Sequence, residues 1–443
     1  MKNLINFGKE LFPICRSITG KGTLTTLKKI KSLQLQNLKI KQISSGSKVF
    51  DWKIPHEWNI TDAYVIDKNS KKIINFKLNN LHVVNYAIPQ KKKIKKTELL
   101  KRLHFIKDYP DAIPYVTSYY NKYWGFCVTE KQYNQINKDY KNDDFFYINI
   151  SSKFNKQGNL NYGELLIPGK SKNEILISTY VCHPSMANNE LSGPLLSIAL
   201  ANYYLNKKKL AKSLRFIFIP ETIGSISYIY KNIKKIKNII LGLNLTCVGD
   251  NKNYSLLSTK YNDTYLDKLC IHTYKLMGLK VKKYSFLTRG SDERQFSSPG
   301  IDLPMVSMMR SKYGTYKEYH TSKDDFNLVN VKGLTQSFKI HKHVLNRIIK
   351  IDENKIYLGR IKNYQINKNN PISTIKCEPN MGKRGLYHLI GTRSIKKNTK
   401  DMMNFLQYAD GGNTIKQISN LIKIDFKNTK AIYLFLKSKK LVK

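Results

Sequence analysis

At 443 residues the chain is too long for one small core, and at roughly 150 residues per domain it should hold two or three. It is 41% hydrophobic and 11% aromatic, which permits folded domains throughout, and no apolar run approaches the ~18–20 residues of a membrane-spanning helix. The formal net charge of +46 would suit nucleic acid or an anionic surface, but the excess is almost all Lys, spread along the chain among many Asn, Ile and Tyr as A/T-rich codon usage produces, and no region interleaves Arg with aromatics.

The N-terminal stretch MKNLINFGKELFPICRS lacks a long apolar core and a small-residue cleavage site. No signal peptide is therefore read, and a cytoplasmic location is expected. Residues about 1–35 read as helical around a loop at 16–22, and short strands follow at Leu38–Ile43 and Val49–Ile54. Residues 55–160 have a different texture, rich in Tyr and Asn with alternating runs such as Phe145–Ile150. They read as a β-rich insert whose lysine cluster Lys91–Lys96 is a solvated loop. From 161 to 365, apolar strands (Glu174–Cys182, Leu214–Ile219, Ile239–Val248, Ile301–Met309) alternate with helices (Leu191–Leu205, Ile223–Ile233, Asp263–Met277, Val331–Ile349). That alternation predicts an α/β fold, a mainly parallel mixed sheet with helices on both faces. The first 54 residues are expected to belong to the same domain. The last block, 380–443, has three helices at 402–408, 414–422 and 426–437, the third capped by Asp425, and a wing strand at Leu441-Val442, the pattern of a winged helix-turn-helix. Six cysteines are scattered without a Cys-x-x-Cys pair and read as buried apolar residues rather than ligands or disulfides.

Chemistry concentrates where strands end. Ser178–Gly193 delivers His183 from a buried strand into a polar loop, a position suited to a metal ligand at the carboxyl edge of a sheet. Taken alone, a strand-end His is more often structural. Phe216–Ser225 places Glu221 directly after a second strand, where a carboxylate can act as general base on a metal-bound water or simply begin a helix. Asn244–Asp250 ends a third strand. Arg289–Phe296 and Glu318–Asp325 add two dense polar clusters. Asp250, Arg289, Asp292, Arg294 and Tyr319 are candidates for substrate contact or for supporting the ligands. Arg289 or Arg294 can hold an acidic substrate group or serve as a salt-bridge partner of Asp292 or Glu293.

The stretches LFPICRSITGKGTLTTL, VFDWKIPHEWNI, STYVCHPSMANNELSGP, PETIGS, TCVGD, RGSDERQFSSPGIDLP, YHTSKDD and CEPNMGKRGLY, in this order over nearly the whole chain, resemble the co-catalytic zinc aminopeptidases. The resemblance is to an aminopeptidase-like branch with an inserted domain and a C-terminal winged helix, often encoded near polysaccharide biosynthesis genes. It implies His183 and His320 as metal ligands, Asn189 where a bridging Asp stands, Glu221 as general base, and Asp292 in a region lining the same pocket. Thr222 and Thr246 stand where further carboxylate ligands are expected. A dinuclear site is therefore not expected, whereas one Zn held by His183, His320 and an oxygen from Asn189, Glu190 or Asp250 is.

The expected function is Zn-dependent hydrolysis of an amide or peptide bond, on a small peptide or an amide-bearing sugar in polysaccharide or surface-glycan biosynthesis. The first alternative is a catalytically impaired binding or scaffold protein on the same fold, motivated by Asn189. The second is a DNA-binding regulator acting through the winged helix, although Lys427, Lys430 and Lys437 come without the Arg, Gln or Asn cluster of base readout. Nucleic acid is not an expected partner, and a homo-oligomer is compatible with the sequence.

Overall fold

The computed structural model describes residues 1–207, 209–352, 354, 366–386 and 397–443. Its centre is an eight-stranded mixed sheet, in spatial order Lys39–Ser44, Asn159–Ile167, Leu210–Ile219, Gly169–Tyr180, Ile239–Asn244, Met305–Met309, Ser255–Leu257 and Lys282–Tyr284. The four inner strands from Leu210–Ile219 to Met305–Met309 run parallel, while antiparallel pairs flank them. The fold is α/β as the alternation predicted.

Alternate residues of the central strand feed different layers. Ile175 and Ile177 join a core built with helices Lys2–Leu11, Lys21–Leu33, Ser192–Leu205, Tyr265–Leu276 and Val331–Ile349. Leu176 joins Ile217 and Ile219 under helix Ile223–Lys231 on the other face. This two-sided burial explains why the strand reads as a continuous apolar run. Several helix starts are set locally: Thr264 and Asp267 form a capping box, and Asn330 accepts the Gly333 amide, satisfying donors that a helix terminus leaves open.

Strand boundaries differ from the expectation in a consistent way. The third inner strand stops at Asn244 and the fourth begins only at Met305, so the flanking apolar residues Leu245, Cys247, Val248, Ile301 and Leu303 are buried in loops. The lysine cluster is not a loop. Gln90–Lys95 is a strand, paired antiparallel with Phe145–Asn155 at one edge of a four-stranded sheet that also holds Glu57–Ile66 and Lys72–Asn75. Ile94 is its buried residue, and the charged side chains of an edge strand oppose pairing with another chain. The periodicity was masked because the solvated face carries Lys at nearly every position.

At the other end of the chain, helices Lys397–Tyr408, Ile415–Ile422 and Phe426–Ser438 pack around Phe405, Ile418, Leu436 and Leu441. Asp425 caps the third, accepting the Asn428 amide at 2.9 Å. The expected wing at Leu441-Val442 is reduced to an isolated bridge between Val442 and Ser373. Its partner therefore lies upstream of residue 380. The expected limit at 365 falls outside the described residues, as do 387–396 within the C-terminal block. Among the described residues no helix is long and apolar enough to cross a membrane.

Candidate metal centre and cavity

Parallel strands deliver their following loops to one edge of the sheet, which is where ligands bind in open α/β sheets. Here Gly169–Tyr180 leads to Cys182 and His183, Leu210–Ile219 to Glu221 and Thr222, and Ile239–Asn244 to Thr246 and Cys247. Thr222 has a φ of +63° and His320 of +55°. A β-branched residue in that region is a strained exception, and it turns the chain sharply after Glu221. His320 is held from two sides: its carbonyl accepts the Tyr115 amide at 2.9 Å, and its ring stacks on Tyr319 with centroids 4.0 Å apart.

The His183 and His320 rings lie 5.5 Å apart, and Tyr115 from the insert meets each of them edge-on at 5.2 Å. His183 Nδ1 is 2.8 Å from Glu190 Oε2, and its Nε2 is 3.8 Å from Glu221 Oε2. Glu190 sits in a single π-helical turn, Ala187–Leu191, that precedes the long helix; such turns recur at functional sites. Behind it lies Arg16, fully buried, with Nε 3.5 Å from Glu190 Oε1 and donating to the His183 carbonyl at 2.9 Å.

His183, Glu221, Arg289, Arg294, Tyr319 and His320 all line one cavity of about 480 Å³, within the range of small-molecule sites. Its walls come from every part of the chain: Trp52, Tyr115–Asn121 of the insert, Glu378–Gly382, and Lys400 and Met403 of the C-terminal block. Burial raises the Glu221 carboxyl, against the opposing pull of His183 and Arg294. Burial and the neighbouring Glu221 charge push Asp292 up to about 8.

Asp292, Asp250 and Asn189 do not line the cavity, and the two arginines that do are engaged with protein groups. Asp292 lies behind Thr222, accepting its amide at 2.8 Å and the Ser225 hydroxyl at 2.7 Å. Asp250 is occupied by the Asn188 amide, by Ser311 and by the Lys252 backbone, so it braces the loops without reaching the cavity. Asn189 donates to the Tyr180 hydroxyl at 2.8 Å, and its Oδ1 is buried without a hydrogen-bond partner. The Thr246 hydroxyl bonds Tyr180 and the Asn189 carbonyl, and Thr222 Oγ1 accepts from Arg294. Arg294 also pairs with Glu378 at 3.4 Å. Arg289 reaches the C-terminal block, donating to Asn404 Oδ1 at 2.6 Å and the Met403 carbonyl at 3.1 Å.

Sequence reasoning missed Arg16, Tyr115, Lys312, Glu378 and Lys400. Arg16 and Glu378 stand in two of the stretches that carry the family resemblance, LFPICRSITGKGTLTTL and CEPNMGKRGLY; the others left no signal.

These donors fit one zinc-type ion. Two imidazoles face the cavity, a carboxylate holds the far nitrogen of one of them as carboxylates do when they orient a metal-binding imidazole, and the buried Asn189 oxygen lacks a hydrogen-bond donor. They do not fit a second ion, because the Thr222 and Thr246 hydroxyls are engaged with protein groups. Among the described residues one further close grouping exists, Cys182, His183 and Glu190 with ligand atoms within 4.8 Å of one another. Arg16 already neutralises that carboxylate, and burial pushes the Cys182 thiol up to about 11, so this grouping suits a cation poorly.

Comparison with known proteins agrees with this architecture. A family model described as "Domain of unknown function (DUF4910)" matches residues 5–353, and a winged helix-turn-helix model matches residues 369–443. A Clostridium acetobutylicum protein named as a polysaccharide biosynthesis protein with an aminopeptidase-like domain is 43% identical, over 96% of this chain and 93% of its own. A crystal structure described as a peptidase from Clostridium acetobutylicum superposes with a TM-score of 0.74 at 39% identity, covering 100% of this chain and 96% of that one. The zinc aminopeptidase BSAP of Bacillus subtilis shares the fold at 12% identity, with a TM-score of 0.58 over 81% of this chain and 97% of that one. With a matched domain that spans most of its length and a relative this similar, the chain belongs to the DUF4910 family of aminopeptidase-like proteins and carries a C-terminal winged helix.

Proposed function

We propose that this protein is a metal-dependent hydrolase that cleaves an amide or peptide bond, on a small peptide or an amide-bearing sugar used in polysaccharide or surface-glycan biosynthesis. The observation that carries the reading is the relay Arg16–Glu190–His183–Glu221, which ends with His183 Nε2 3.8 Å from the Glu221 carboxylate in the cavity that also contains His320. The polysaccharide context comes from the name of the clostridial relative.

His183, His320 and the Asn189 oxygen would hold one zinc ion, which supplies Lewis acidity toward a scissile carbonyl and a nearby water. The protein groups do the rest. A carboxylate accepts only, so Glu190 keeps a proton on His183 Nδ1 and turns Nε2 toward the cavity; against the pull of burial, Cys182 and Glu190 raise the proton affinity of the imidazole, so Nε2 would release a proton on serving as a ligand. Glu221, with its proton affinity raised by burial, is suited to take a proton from the attacking water and return it to the leaving amine. Tyr115 and Tyr319 fix the two imidazole planes, and the insert and C-terminal walls narrow access by water.

The test is turnover of aminoacyl and N-acyl amino-sugar substrates by full-length protein with added zinc. Glu221→Gln is expected to lower kcat by about 10²–10⁴-fold with metal content unchanged. Turnover that survives this substitution rules out Glu221 as the base. One observation favours a second reading, a ligand-binding module on a hydrolase scaffold: Asn189, Thr222 and Thr246 occupy the places where carboxylate ligands are expected. That reading predicts ligand binding without turnover in wild type.

A further inference from the structure

Four cationic side chains line the cavity, Arg289, Arg294, Lys312 and Lys400, against two carboxylates, Glu221 and Glu378. Arg294 is paired with Glu378, and the hydrolytic chemistry uses Glu221. That leaves three cations unassigned.

Lys312 is 6% exposed. Its ammonium donates to the Tyr313 carbonyl at 3.2 Å and lies 4.1 Å from the centre of the Tyr313 ring. Among the described residues it has no carboxylate within 4.0 Å. The nearby acid, Glu293, is itself buried and already saturated: its oxygens accept the Gly290 and Ser291 amides, the Tyr313 hydroxyl and the Asn244 amide. Arg289 donates to neutral oxygens of Phe286, Met403 and Asn404, and its Nε is buried without a hydrogen-bond partner. Lys400 stands exposed on helix Lys397–Tyr408 where that helix borders the cavity. A buried ammonium without a direct counter-ion is costly. Burial pulls Lys312 down to about 8, with Glu293 opposing, so the neighbourhood would gain from an added negative charge.

We propose that Lys312 and Lys400, supported by Arg289, form an anion subsite of the cavity, holding a carboxylate or phosphate group carried by the substrate. The assignment deepens the hydrolase reading and rests on it for the identity of the bond that is cleaved. It makes the winged helix a wall of the substrate site, because Lys312 belongs to the aminopeptidase-like domain and Lys400 to the C-terminal block. A neutral substrate would leave the same cations uncompensated.

The experiment is calorimetric titration of full-length protein with inorganic phosphate, N-acetyl-L-glutamate and the neutral control N-acetyl-L-glutamine amide, in which both carboxyl groups are amides. At least one anion is expected to bind at least about tenfold tighter than the control. Lys312→Met and Lys400→Ala should each weaken that binding by about tenfold, and Lys312→Arg should retain it. Because Lys400 is exposed, its variant tests the idea even if Lys312→Met does not fold. Preference for phosphate over N-acetyl-L-glutamate assigns a phosphorylated substrate, and the reverse assigns a carboxylate. Equal affinity for anion and control overturns the subsite, as does anion binding unchanged in Lys400→Ala. Turnover and anion affinity are read separately on the wild-type protein, so failure of the hydrolase reading shows in turnover while failure of the subsite shows in this titration.

Discussion

The buried Glu190 carboxylate holds His183 Nδ1 across 2.8 Å and meets Arg16 Nε at 3.5 Å. Arg16 and Glu190 are both fully shielded from solvent, so each is the other's counter-charge, and the pair fixes which imidazole nitrogen faces the cavity.

Glu190→Gln keeps the shape and removes the charge, which leaves the Arg16 guanidinium buried without compensation. Breaking a buried pair from one side costs about 3–5 kcal/mol. The variant should unfold at a correspondingly lower urea concentration. An unchanged midpoint would show that Arg16 finds its compensation elsewhere.

Purified wild-type protein should contain about one zinc per chain, the stoichiometry of a mononuclear site. His183→Ala and His320→Ala should each lose it. Elemental analysis of the three proteins side by side decides this. Two ions per chain would contradict the protein-bonded Thr222 and Thr246 hydroxyls, and no ion in wild type would favour the binding-module reading.

Asp410 anchors the C-terminal block to the aminopeptidase-like domain. Its Oδ2 meets Lys260 Nζ at 3.4 Å and the Tyr261 hydroxyl at 2.9 Å, and its side chain is fully buried. Asp410→Ala should loosen this docking by roughly 2–3 kcal/mol, the scale of a lost hydrogen bond to a charged group. Limited proteolysis should then release the C-terminal helices faster than in wild type. Equal cleavage rates would mean that Arg289 and its Asn404 and Met403 contacts suffice.

His341, on the long helix Val331–Ile349, is 2% exposed and pulled down to about 4 by burial, while its Nδ1 lies 2.7 Å from the Ser337 carbonyl. Its folded pKa is below the unfolded value near 6.5. The unfolded chain therefore binds the extra proton, and the stability His341 contributes is present above pH 6.5 and lost as pH falls toward 4. Between pH 7 and pH 5 the linkage amounts to about 2 kcal/mol. His341→Leu should remove that much of the acid sensitivity seen in denaturation midpoints; an unaltered slope would assign it to other groups.

The sheet and its loops were legible in the chain because apolar runs buried on two faces announce themselves locally. His183, Glu221 and His320 stood out because each follows such a run or lies in a dense polar cluster, and the fold brings all three to one cavity. The boundaries of those runs were not legible, since a buried loop such as Leu245–Val248 is as apolar as the strand it continues. The lysine-rich edge strand escaped for the opposite reason: its one buried residue gives too little alternation to see.

Other roles were decided only by the tertiary structure. Glu190 and Asn189 are neighbours in sequence and each carries a side-chain oxygen, yet the π-helical turn sends Glu190 to His183 and Asn189 to Tyr180. Arg16 lies 167 residues from His183, and Lys400 belongs to a different domain from Lys312. Burial, the absence of a counter-ion and membership of one cavity are properties of packing between distant segments, and no local pattern of residue types encodes them.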